Sequence, residues 1–185
     1  MRTALLTRTV LACLVLSLAA SPSVDAWARG KAKAAKQAPK LDTGAIEAQL
    51  KSRDAGRIRE GLESARQAAA AASPVAGTVE QLLGDGLPAD LTVLAIQTLG
   101  AIRAESSSRV LSGYARHRDP KIRRQAAKAL ERTGGAEAIK ALRRCLSDGD
   151  VEVRSLGAAG LGNLGAKQYV PALFLALEQL NERRH

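Results

Sequence analysis

Side chains suited to metal or nucleophilic chemistry are scarce in this sequence. Its only imidazoles are His117 and His185, and its only thiols are Cys13 and Cys145. A zinc or iron site needs three or four such ligands converging on one point, and no two of these four share a helical turn. A thiol nucleophile needs an imidazole base and a group to orient it within hydrogen-bond reach. The separation of His117 from Cys145 predicts no pocket that joins them to a carboxylate. Ser, Asp and Glu are plentiful, yet the chain has no phosphate-binding glycine loop, nucleophile elbow or dinucleotide fingerprint. The expectation is a protein without enzymatic activity, bound metal or cofactor.

What the chain offers instead is positive charge. Lys and Arg number 28 against 18 Asp and Glu, a formal charge of +10. Within the 17 residues from Arg116 to Arg132 stand Arg116, Arg118, Lys121, Arg123, Arg124, Lys128 and Arg132, with Asp119 and Glu131 as the only acids. Arg124, Lys128 and Arg132 are spaced i, i+4, i+8 and share one face of a helix, and Lys140, Arg143 and Arg144 follow on the next. The candidate partner-binding set is therefore Arg116, Arg118, Lys121, Arg124, Lys128 and Arg132. The bland alternative is a solvated helix face. A nucleic-acid groove would continue its basic track and supply stacking aromatics, whereas aromatic residues make up 2% of the chain, which argues against that partner. An acidic protein segment is the first expectation. An anionic envelope polymer or lipid surface is the alternative.

The elements that position these charges begin after a targeting segment. Arg2 and Arg8 precede an uncharged apolar stretch from Val10 to Ala20, shorter than the roughly 20 residues a membrane-spanning helix requires. Small residues at Ala26 and Ala28 then form an A-x-A cleavage pattern. Residues 1–28 are expected to be a signal peptide, leaving no integral membrane segment after cleavage and a periplasmic or secreted product; an uncleaved N-terminal anchor is the alternative. Its removal takes away Arg2, Arg8 and Asp25 and lowers the formal charge to about +9. Cys145 then remains as the sole thiol, expected to be buried beside Leu142 and Leu146, with pairing to another molecule as the alternative. Residues 29–42 form a basic leader carrying Arg29, Lys31, Lys33, Lys36 and Lys40, without a helical apolar face.

Residues 43–185 are dominated by self-similarity. Asp119 to Leu130 (DPKIRRQAAKAL) overlies Asp150 to Leu161 (DVEVRSLGAAGL) at an offset of 31 residues. The same offset carries Leu91, Ala95 and Leu99 onto Ile122, Ala126 and Leu130. Before them, in a divergent first unit, Ile58, Leu62 and Ala65 imitate the pattern after a one-residue insertion, and the Ala-rich stretch Ala65 to Ala72 lengthens the second helix. Each unit holds two helical patterns. First helices are predicted at about Thr43–Lys51, Val75–Leu83, Ser106–Ala115 and Ala136–Leu146. Second helices are predicted at about Gly56–Ala72, Asp90–Ile102, Pro120–Arg132 and Val151–Leu164, and a closing helix at Val170–Glu182. Asp119 before Pro120 is an N-cap followed by proline at the first helical position. The glycines Gly157, Gly160, Gly162 and Gly165 are expected to permit close helix packing. A hairpin of about 30 residues cannot bury its apolar stripe alone, so the fold class is all-α, an α-solenoid of four helical hairpins and a terminal helix.

The segment Asp148-Gly-Asp150-Val-Glu-Val153-Arg154, followed by Ala158 and Leu161, resembles the turn and second helix of HEAT repeats, particularly the short-period bacterial variety. The resemblance covers about residues 44–180 and is strongest in the last two units. It implies that second helices line a concave binding surface. It also implies a polar ladder between repeats, built from a turn Asp and an Arg six residues later; Asp148 with Arg154, and Arg123 in the preceding unit, occupy those places. Other units depart from the pattern. His117 stands in place of Asp ahead of Arg123, Gly86 and Thr92 replace both members, and Arg53 replaces Asp ahead of Arg59. Some proteins with such repeats are enzymes, among them deoxyhypusine hydroxylase with its iron-binding His-Glu pairs, and this chain has no such pair.

Overall fold

A computed structural model describes residues 41–171. The expected signal peptide, the leader up to Lys40 and the closing helix beyond Pro171 lie outside those residues. The described helices are α1 (Thr43–Leu50), α2 (Ala55–Ala68), α3 (Ala76–Asp85), α4 (Ala89–Ile102), α5 (Ser108–Tyr114), α6 (Pro120–Thr133), α7 (Gly135–Cys145) and α8 (Val151–Asn163). Short 3-10 turns precede α3 and α5 and follow α8, and there is no strand among the described residues. The architecture is an all-α solenoid of paired helices.

Local chemistry sets the helix starts. The carboxylates of Asp42, Asp54, Asp119 and Asp150 accept the free N–H groups of Ala45, Arg57, Lys121 and Val153 at 2.8–3.0 Å, so α1, α2, α6 and α8 each begin on a capped turn. In α6, Ile122, Ala126, Ala129 and Leu130 recur at helical spacing and are all buried, while the charged side chains occupy the other faces. Gly134, at φ +68, ends that helix in a conformation that would strain an L side chain.

The buried side chains form one aliphatic cluster running through all four units, with Leu50, Leu62, Leu99, Leu130, Leu142 and Leu161 fully enclosed. The second helices pack in sequence, α2 on α4, α4 on α6, and α6 on α8. Close approach along this row uses small residues. A Cβ on Gly100 of α4 would lie 3.0 Å from the Cα of Ala129 in α6.

Two expectations change. The helix anticipated over Gly56–Ala72 stops at Ala68, and residues Ala69–Val75 form a 3-10 segment containing Pro74. A continued α-helix would drive the Pro74 ring into the carbonyl of Ala70 and leave that carbonyl without its N–H donor, whereas the tighter segment buries Ala72 and Val75. The glycine run also divides by role. A Cβ on Gly157 would sit 2.8 Å from the Cβ of Cys145 and 2.9 Å from the Leu142 carbonyl oxygen, and one on Gly160 would sit 2.9 Å from Leu142 Cδ1. Gly162 has nothing within 4 Å, and Gly165 lies beyond the end of α8 at φ +63. Only the first two let helices close on one another.

Candidate functional site

The turns between first and second helices share a set of hydrogen-bonding positions that different side chains fill. In the last unit the Asp148 carboxylate accepts the Asp150 N–H at 2.8 Å. In the third unit His117 Nδ1 accepts the Asp119 N–H at 3.0 Å, and in the first the Ser52 hydroxyl accepts the Asp54 N–H at 3.1 Å. An accepting Nδ1 makes His117 the Nε2–H tautomer, and its ring stacks at 6.3 Å between centroids with Tyr114.

The second position caps turn carbonyls. Arg154 Nη1 donates to the carbonyls of Asp148 at 2.7 Å and Gly149 at 3.1 Å, and Arg123 Nη1 does the same to His117 and Arg118. Thr92, where arginine is absent, donates its hydroxyl to Leu87 and Pro88 at 3.0 and 3.1 Å. Thr92 thus performs the capping half of the arginine's work without the charge.

Only arginine can also reach the next repeat. Arg123 grips Asp148 with Nε and Nη2 at 2.9 and 2.8 Å, both side chains less than one-fifth exposed. Burial alone would raise the Asp148 carboxyl, but the Arg123 hydrogen bond and the Asp150 N–H outweigh it and hold the group below its ordinary value. Arg59 also reaches the following repeat, but through Nη2 alone and in an exposed pair with Asp90 of the second unit. Beside this pair Arg124 donates through Nε and Nη2 to Asp150 at 3.0 and 2.6 Å, and its Nη1 meets Glu152 at 2.8 Å. Through the Arg124 hydrogen bond, the Asp150 carboxyl falls to about 2.

The six candidate binding residues consequently separate. Arg124 is committed to the next repeat. Lys128 and Arg132 line a cleft of about 420 Å³ that crosses α2, α4 and α6, together with Arg66, Gln97 and Gln125. Arg116 and Arg118 line a different cleft, of about 480 Å³, between the α5–α6 turn and the α7–α8 turn. Lys121 is exposed at the start of α6 and lines neither. Arg66 was not among the sequence candidates, because the Ala69–Val75 segment breaks the repeat register between it and Arg132.

The turn-edge cleft also corrects the sequence reading. His117, Cys145 and Asp148 all line it, so the fold brings together an imidazole, a thiol and a carboxylate that the spacing did not place side by side. Each is held out of nucleophilic chemistry. Cys145 is 3% exposed, and burial first, then the nearby Asp148 charge, push its thiol up to about 11. The carboxylate is gripped by Arg123, and the imidazole Nδ1 is taken by a backbone N–H.

These turns and their paired helices are what known proteins can be compared with. Residues 76–161 match the model for HEAT repeats. That stretch takes in the second, third and nearly all of the fourth unit; the divergent first unit falls outside it. The fold is similar to that in the crystal structure of an engineered protein, 21% identical over 73% of this chain and 68% of that one, with a TM-score of 0.52. No curated protein matches the chain. HEAT-like repeats generally mediate protein–protein interaction and typically serve as scaffolds rather than enzymes. Among the described residues no helix is long and apolar enough to cross a membrane.

Proposed function

We propose that the protein is an exported interaction scaffold that holds an acidic segment of a protein partner on its second-helix face. The supporting observation is the unequal use of its arginines and lysines. Arg59, Arg123 and Arg124 are paired with acids of the following repeat, whereas Arg66, Lys128 and Arg132 are exposed and in no ion pair among the described residues. Those three cations rim one cleft whose floor contains Gly100, Ala101 and Ala129. Small floor residues admit a polypeptide backbone, and a cationic rim favours carboxylates. Export follows from the expected signal peptide.

The test is affinity capture from the envelope fraction with the full-length chain and with its Arg66→Glu/Lys128→Glu/Arg132→Glu variant. A partner retained by the first and lost by the second, with an acidic segment crosslinking near Gln97, supports the proposal. Identical partners for both chains would overturn it. Retention of cell-wall material or anionic vesicles in place of protein would turn the reading to the envelope-binding alternative.

A further inference from the structure

The cleft between the two turns has a composition that the scaffold reading does not use. Its carboxylate and the turn carbonyls that flank it are already satisfied. The Asp148 carboxylate takes Arg123 and the Asp150 N–H. Arg123 Nη1 takes the carbonyls of His117 and Arg118, and Arg154 Nη1 those of Asp148 and Gly149. His117 Nδ1 is taken as well, which leaves its Nε2–H as a donor. The side-chain groups around the cleft that take no part in a hydrogen bond among the described residues are the guanidinium groups of Arg116, Arg118 and Arg144, that imidazole N–H and the Ser147 hydroxyl. All three arginines are exposed and form no ion pair among the described residues.

An open cleft whose free side chains are donors, three of them cationic, and whose carboxylate is already neutralised favours a ligand rich in acceptors and negative charge. Guanidinium groups meet such ligands through two parallel N–H···O bonds, a geometry suited to phosphate and sulfate oxygens. The volume of about 480 Å³ falls within the roughly 300–1,000 Å³ range of small-molecule sites. We infer that this inter-repeat cleft is an oxyanion site that takes a phosphate-class group through Arg116, Arg118 and Arg144, separate from the second-helix face. The site spans two repeats, so an occupant would bridge the third and fourth units where the Arg123–Asp148 pair already joins them.

Inorganic phosphate and O-phosphoserine are the probes, titrated into the full-length chain with sodium chloride at matched ionic strength as the control. Arginine Nε–H and backbone amide resonances are followed by NMR. Phosphate is expected to move Arg116, Arg118, Arg144 and the amides of Ser147 to Gly149. The Arg116→Gln/Arg118→Gln/Arg144→Gln variant should weaken binding at least about tenfold, the size expected for lost charged hydrogen bonds. The Lys128→Gln/Arg132→Gln variant should bind as before. Tighter binding of O-phosphoserine than of phosphate identifies an esterified group as the ligand, and the reverse order identifies the free ion. Shifts reproduced by chloride, or equal weakening in both variants, would overturn the site. All five substituted side chains are exposed, and circular dichroism checks that each variant is folded.

Discussion

Gly157 and Gly162 lie on the same helix and meet different surroundings, so replacing each with alanine isolates how closely α7 and α8 pack. At Gly157 the new Cβ would fall 2.8 Å from the Cβ of Cys145 and 2.9 Å from the Leu142 carbonyl oxygen. Carbon contacts are comfortable at about 3.5–4.0 Å, and neither of these atoms can swing aside without moving the backbone. Overpacking of this kind costs about 1–3 kcal/mol, and the inflexible neighbours place Gly157→Ala at the upper end. Alanine's better helix propensity returns about 1 kcal/mol, which leaves a net loss of about 2 kcal/mol. At Gly162 there is no neighbour within 4 Å, so the propensity gain stands alone and Gly162→Ala should be more stable than wild type by up to about 1 kcal/mol. The two variants then differ by about 3 kcal/mol. At about 2–4 °C per kcal/mol for a chain of this size, their melting temperatures should differ by roughly 6–12 °C. Thermal and urea unfolding followed by circular dichroism measures both. Equal stability of the two variants would refute the close approach of α7 and α8 and, with it, the packing role of Gly157.

Thr92→Val keeps the shape of the side chain and removes the hydroxyl that caps Leu87 and Pro88; urea unfolding should show a loss of about 1 kcal/mol, with Thr92→Ser close to wild type. Cys145 should react slowly with maleimide at neutral pH in the native protein and rapidly once unfolded, with the adduct located by mass spectrometry. Since burial lifts its folded-state value above the ordinary 9.0 to about 11, its contribution to stability is present below pH 9.0 and is lost as pH rises through that window; Cys145→Ala should flatten the alkaline limb of the stability curve. Asp150 has the opposite sign. The Arg124 hydrogen bond holds its folded-state carboxyl at about 2 against an ordinary 3.8, so its stabilisation is full above pH 3.8 and lost as pH falls toward 2. Acid unfolding of Asp150→Asn should lack that component, and an unchanged acid limb would exclude it.

The repeat was legible because burial imposes the same apolar spacing on every second helix, so Leu91, Ile122 and their partners announce themselves at a fixed offset. Capping aspartates were equally legible, since an N-cap acts within its own turn. The end of α2 was not. Alanine favours helix wherever it stands, so the run from Ala65 to Ala72 carried no stop signal, and Pro74 acts from beyond the expected end. The turn positions were hidden for a different reason. Ser52, His117 and Asp148 share no charge or shape, only an acceptor at the correct distance from a backbone N–H. Residue type cannot display that equivalence. Arg124, Lys128 and Arg132 formed one stripe by spacing, yet α8 brings Asp150 and Glu152 to the first of them and leaves the other two to the cleft. Which charges remain available is decided by the neighbouring repeat.

The unequal filling of those turn positions has a mechanical side. The seam between the third and fourth units is held by Arg123–Asp148, Arg124–Asp150 and Arg124–Glu152. The seam between the second and third has no ion pair among the described residues. It is joined by the Ser107 hydroxyl on the Glu80 carboxylate at 2.6 Å and by uncharged contacts: Gln97 to Gln125 at 3.3 Å, the Tyr114 hydroxyl on the Leu83 carbonyl at 2.7 Å, and Gly100 against Ala129. Ionic strength weakens the partly exposed Arg124–Glu152 pair most and the enclosed Arg123–Asp148 pair much less, and it acts least on the hydrogen bonds and packing of the second seam. The solenoid is therefore a spring with unlike coils, one that answers in part to the salt around it and one that answers to it less. A partner lying across both would feel its seat loosen more on one side than on the other.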